Sequence, residues 1–145
     1  MKQLFLRTIG RWIPSDHFAP RYPVSVKGIC FLNGKIVLLK NEHGVWDLPG
    51  GKLQKGEILQ DALRREILEE LNADVEQADL IDAQTIYVQN QVHVLVLIFL
   101  CRLETAENLL AISEESFELG LYTKSQIKEL PMHEGYRQLI LHHMR

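Results

Sequence analysis

The chain predicts an α/β fold, an α/β/α sandwich built on a mixed β-sheet. Three observations lead there. Apolar, strand-like runs occupy residues 23–40 and 79–102, a helical and acid-rich segment lies between them at 58–71, and an amphipathic segment closes the chain at 133–144. Strands with helices before and after them build a layered sheet domain.

The elements follow in order. Lys2, Arg7 and Arg11 surround Leu4, Phe5, Leu6 and Ile9, with neither a long apolar centre nor a small-residue cleavage site, so the segment is not expected to be a signal peptide. It is expected to pack on the domain as an extension of residues 1–20; a membrane-surface or dimer-forming helix is the alternative. Strands are predicted at 23–32 and 35–40, joined at Asn33-Gly34, a favoured hairpin turn, with a short extended piece before Pro49. A second hairpin is predicted from 79–88 and 91–102, turning near Asn90. The apolar run from Val92 to Cys101 is too short to cross a bilayer and predicts a core strand, with His93 a sheet residue. Ser116 to Tyr122 predicts a further strand, and 133–144 a terminal helix carrying Tyr136, Leu139, Ile140 and Leu141.

Length and composition fit one compact domain over residues 1–145. With 46% hydrophobic residues the chain can bury a substantial core, and no linker, repeat or low-complexity segment divides it. A formal charge of −3 argues against a broad footprint for long nucleic acid, while leaving room for a small anionic nucleotide in a metal-filled pocket. Cys30 and Cys101 both fall in apolar strand-like runs, which predicts buried free thiols and a cytoplasmic protein rather than a disulfide or a metal pair. Neither a monomer nor a homodimer is singled out.

The chemistry concentrates in residues 51–73. On a helix of 3.6 residues per turn, Leu59, Ala62 and Leu63 mark one stripe, and Glu66, Glu69 and Glu70 continue it. Carboxylates on an apolar stripe are costly to desolvate and repel one another, so a hard divalent cation with oxygen ligands is their natural partner. Arg65 and Glu69 are four residues apart, which a plain surface ion pair would also explain. Glu57 lies near the helix start, where a capping charge is an equally good account.

Gly51, Glu57 and the run Arg65-Glu66-Ile67-Leu68-Glu69-Glu70, preceded by Trp46-Asp47-Leu48-Pro49-Gly50, resemble the signature of the Nudix hydrolases, MutT-like enzymes that cleave nucleoside diphosphates linked to another moiety. Asn72 stands where that signature has a second glycine; Asn is the residue next best able to adopt a left-handed helix end. Ala73 is a small choice for the aliphatic position after it. The resemblance implies a Nudix-type fold and Mg²⁺, or Mn²⁺, held by Glu69 and Glu70 with Glu66 beside them. A carbonyl at Gly50 or Gly51 is implied as a further contact. Arg65 is implied to orient a neighbouring glutamate, and Glu57 to support the metal site or the loop. Many members take their general base from a late loop, which makes Glu114, Glu115 and Glu118 candidates beside the glutamates of the box.

The implied reaction is hydrolysis of a pyrophosphate bond in a nucleoside triphosphate, ADP-ribose or dinucleotide type of substrate. Trp46, Tyr87, Phe117 and Tyr122 are the aromatic residues available to a nucleobase, and Tyr87 is a faint pointer to a dinucleoside polyphosphate or ADP-linked substrate. Two other classes stay open. One is a regulatory domain that binds a nucleotide without turning it over, although such a module has no need of the acids. The other resembles an isoprenoid diphosphate isomerase, for which no paired Cys and Glu arrangement is evident in the sequence.

Overall fold

In a computed structural model, residues 19–88, 91–114 and 118–145 are described. Hence the segment 1–18, Asn90, Glu115, Ser116 and Phe117 lie outside the described residues. Strand β1 (Val24–Leu32) turns through Asn33 and Gly34 into β2 (Lys35–Lys40). Both turn residues have positive φ, 52° and 73°, as an Asn-Gly hairpin requires. Two short strands, β3 (Trp46–Asp47) and β4 (Gly50–Lys52), precede helix α1 (Leu59–Leu71). The long strands β5 (Val75–Val88) and β6 (Val92–Leu103) follow, then β7 (Glu118–Tyr122), the short helix α2 (Lys124–Ile127) and helix α3 (Glu134–His143).

These strands form one mixed sheet in the order β3-β2-β1-β6-β5, with β4 also on β1 and β7 also on β2. The β1–β6 pair is parallel and the others are antiparallel. Alternation along the central strands sends side chains to two cores. Val26 and Cys30 of β1, Val37 and Leu39 of β2, and Phe99 and Cys101 of β6 meet Ala62, Leu63, Ile67 and Leu71 of α1 on one face. Ile29, Ile36, Leu38, Val96 and Ile98 meet Ile127 of α2 and Tyr136 and Ile140 of α3 on the other. The layers are those of the predicted sandwich.

Several boundaries differ from the sequence prediction. Strand β5 begins at Val75 rather than 79, because its polar opening residues pair with the end of β6 while their side chains face solvent. Irregularities at Val75/Gln77 and Leu80/Asp82 break the two-residue alternation that would have marked the strand. The glycine segment is strand β4, hydrogen-bonded to β1, and α2 was not foreseen. Cys30 and Cys101 are buried free thiols, as expected, and stand opposite each other in the β1–β6 register. His93 is exposed on β6, its ring 4.8 Å from that of Tyr87. Among the described residues no helix is long and apolar enough to cross a membrane.

Candidate active site

Helix α1 buries Ala62, Leu63, Ile67 and Leu71, so the apolar stripe continues through Ile67 and Leu71 rather than through the acids. The glutamates flank it. Glu66 and Glu70 sit partly buried on the shoulder beside β4, and Glu69 points outward, its side chain 58% exposed. The helix ends at Asn72 in the left-handed conformation (φ 52°, ψ 42°), whose N–H donates to the Leu68 carbonyl; Asn serves there as the glycine would. Ala73, directly after, is fully buried.

Glycine is demanded on the facing strand. A Cβ on Gly50, at φ 134°, would collide with the Val26 carbonyl of β1, and one on Gly51 would lie 2.5 Å from the Glu66 carboxylate. This close approach places the β4 backbone against the acids of α1. The Gly50 N–H donates to Glu70 Oε2 at 2.7 Å. Burial pushes the Glu70 carboxyl up to about 7, aided by Glu66 and Asp47, while the Gly50 N–H and Lys27 pull it down.

Arg65 organises the other acids. Its Nε and Nη2 donate to the two oxygens of Glu57 at 2.7 and 3.1 Å, and Nη1 donates to Glu66 at 2.8 Å and Glu69 at 3.3 Å. Nη2 also reaches the Lys52 carbonyl. Such a fork fixes carboxylates in plane, and it holds the Glu57 carboxyl below the usual carboxylate range. Glu57 is therefore no helix cap: the N-cap residue is Ile58, without a side-chain cap, and Glu57 instead accepts the Gln54 N–H and binds Arg65.

Across from Glu70, Lys27 of β1 turns from the strand toward the glycine segment. Its Nζ lies 3.1 Å from Asp47 Oδ2, 3.0 Å from the Leu48 carbonyl and 3.4 Å from the Gly50 carbonyl. Lys27, Lys40, Asn41, Asp47 and Glu70 line one cleft of about 130 Å³. Sequence reasoning passed over Lys27 and Lys40; for Lys27 the available signal was a lysine inside the largely apolar strand β1. Of the late glutamates, Glu118 reaches the rim of this cleft, its carboxylate 3.0 Å from Lys40 Nζ. Glu114 is exposed in a turn.

The oxygen donors suit a hard divalent cation in kind, and the half-buried carboxylate of Glu70 has the elevated proton affinity of an anion short of positive charge. They are not gathered into one cage. Among the described residues no group of three or more His, Cys, Asp or Glu side chains stands ready to hold a metal ion, because Arg65 draws Glu66 and Glu69 toward Glu57 while the Gly50 N–H draws Glu70 toward the sheet.

A sheet sandwich that sets an acid-rich helix against a glycine strand defines a class, and residues 21–143 match the model of the NUDIX domain: this chain belongs to that family. Over 39 residues it is 49% identical to an 8-oxo-dGTP diphosphatase of Proteus vulgaris, a match spanning 27% of this chain and about a third (35%) of the relative's length. Its fold resembles that of a MutT NUDIX hydrolase from Burkholderia pseudomallei (TM-score 0.73, 24% identity, 87% of this chain and 100% of the other). It is similar also to a NUDIX family hydrolase from Clostridium perfringens (TM-score 0.75, 15% identity, 85% and 96%).

Proposed function

We propose that the chain is a divalent-metal-dependent hydrolase of a nucleotide pyrophosphate bond, with Mg²⁺ or Mn²⁺ as the ion. The observation that supports it most is Glu70, a half-buried carboxylate beside Glu66, locked to the Gly50 N–H and facing a cleft lined by lysines. Glu66, Glu69 and Glu70, with a carbonyl of Gly50 or Gly51, are the groups to hold the cation. When bound, the cation supplies charge neutralisation for the pyrophosphate and acidifies a water.

The chain's own residues do the rest. Arg65 positions Glu66 and Glu69 by a shared guanidinium, and Glu57 holds the far side of that guanidinium. Lys27 fixes the Leu48 and Gly50 carbonyls and brings positive charge to the cleft where phosphate oxygens would lie. Either a glutamate of α1 or Glu118 at the rim takes the proton of the attacking water. The match to an 8-oxo-dGTP diphosphatase supports a nucleoside triphosphate among the substrates.

The test is release of mononucleotide from a panel of nucleoside triphosphates, ADP-ribose, dinucleoside polyphosphates and nucleotide sugars with Mg²⁺ or Mn²⁺. One substrate cut by the wild type and left intact by Glu70→Gln would uphold the proposal. A folded, metal-binding protein that cuts none of them would overturn it.

A further inference from the structure

Cys30 of β1 and Cys101 of β6 take no part in the proposed chemistry, yet they are placed together. They are register partners in the parallel β1–β6 pair, both buried on the face that α1 covers. Side chains of such a pair leave their strands in the same direction, about 4.8 Å apart. Disulfides join residues whose Cα atoms are roughly 4.4–6.8 Å apart, so these two stand within reach without rearrangement of the chain.

Gly28, at the centre of β1 and on the same face as Cys30, makes room for the pair. A Cβ there would stand 3.0 Å from the Cys30 sulfur, 3.1 Å from the Cys101 sulfur and 3.2 Å from Ile67 Cδ1 of α1. Both sulfurs therefore lean into the one space that the missing side chain leaves beneath the helix. A glycine inside a central strand weakens it; here it lets two thiols meet. The Cys101 thiol beside it, and then burial, push the Cys30 thiol up, and the Glu70 carboxylate adds to this. The candidate site lies close by. The Gly28 N–H donates to the Pro49 carbonyl at 2.9 Å, Lys27 and Val26 pair with Gly50 and Gly51, and Ile67 lies one helical turn before Glu70.

We infer that Cys30 and Cys101 form a site of reversible oxidation, with a hydroperoxide as the oxidant, and that the resulting disulfide lowers turnover. One sulfur takes the terminal oxygen of the hydroperoxide, which departs as an alcohol, or as water from hydrogen peroxide. The other sulfur then displaces water from the sulfenic acid. Two thiols and one hydroperoxide thus become one disulfide, one water and one alcohol, the two electrons passing to the peroxide oxygens. Thiolate is the attacking form and burial keeps it scarce, so the pair answers sustained exposure rather than a brief pulse. Closing the bond draws the two Cβ atoms from about 4.8 Å to about 3.8 Å. The movement reaches the glycine strand through the β1–β4 ladder and Glu70 through Ile67. Strain of this kind also makes a disulfide easier to reduce. Only the effect on turnover rests on the hydrolase proposal.

Prolonged treatment of the full chain with hydrogen peroxide, followed by peptide mapping without reduction, tests it. The peptides carrying Cys30 and Cys101 are expected to be joined, and dithiothreitol to separate them. Turnover is expected to fall about tenfold on oxidation and to return on reduction. Cys101→Ala, treated alike, is expected to keep its turnover, and Cys30→Ala serves as the same control from the other strand. Thiols still free after a treatment that joins them in the urea-unfolded chain, sulfinic acid in place of the bond, or an equal loss of turnover in the alanine variants overturns the inference. A complete bond with undiminished turnover overturns the control of the site. A mapped, reducible bond in a chain that hydrolyses nothing leaves the oxidation site standing and sinks only the hydrolase.

Discussion

Glu70→Gln should make the metal-free protein more stable while silencing it. In the fold the Glu70 carboxyl holds its proton up to about 7, against an ordinary value of 4.5, chiefly because burial disfavours its charge. A carboxyl whose proton affinity is raised by folding contributes fully below its unfolded pKa and loses that contribution as pH rises through the folded one. The window is thus from about 4.5 to about 7. Each tenfold in proton binding is worth about 1.4 kcal/mol, so ionising this group costs the native state about 3 kcal/mol above neutrality. Glutamine keeps the shape, an oxygen for the Gly50 N–H and no charge. In a domain of this size each kcal/mol moves the melting temperature by roughly 3 °C. Calorimetry with a chelator at pH 8 should show Glu70→Gln melting about 9 °C above wild type, and the gap should close near pH 4. A variant no more stable at pH 8, or a gap of equal size at both pH values, would refute the account of Glu70 as a buried anion.

The remaining expectations concern geometry, packing and metal. Gly51→Ala puts a methyl 2.5 Å from the Glu66 carboxylate and should cut kcat about 100-fold in a protein that still folds, since misplacing a reacting group by about 1 Å has that effect; near-normal kcat would mean that the carboxylate's position is not critical. Phe99→Ala removes a fully buried ring between the sheet and α1 and should cost 3–5 kcal/mol (roughly) in urea unfolding; a loss below about 1 kcal/mol would contradict the packing described. Chelation should abolish turnover, and Mg²⁺ added at pH 8 should raise the melting temperature of wild type more than that of Glu70→Gln; identical shifts would remove Glu70 from the cation's ligands.

The sandwich was legible where physics is local. The Asn33-Gly34 turn needs two positive φ values, and few residue pairs supply them, so the first hairpin reads directly. The face of α1 read only partly: spacing put the acids on the apolar stripe, whereas Ile67 and Leu71 complete it and the acids border it, because a glutamate beside a glycine strand finds polar neighbours there. The link between Glu57 and Arg65 spans eight residues and starts before the helix, where helical spacing no longer fixes the geometry. The partners of Lys27 were hidden for a similar reason. Its three oxygen partners come from a strand and loop some 20 positions away, which only the β1–β4 pairing brings together. Tyr136 read only as a residue of the terminal helix; that it is buried there and lines a cavity enclosed by three separate segments is a property of the tertiary fold.

Strand β5 forms the outer border of the sheet, and among the described residues nothing pairs with its far side. A border of 14 residues with free backbone groups invites another chain to add itself. Here the invitation is withdrawn by the strand's own irregularities and by Asp79 and Asp82, which set negative charge along the stretch most open to recruitment. Two copies approaching border to border would bring like charges together over kinked backbones that cannot lie flat on each other. The features that hid the start of β5 from a periodicity argument are therefore also the ones that make this border a poor template for another strand.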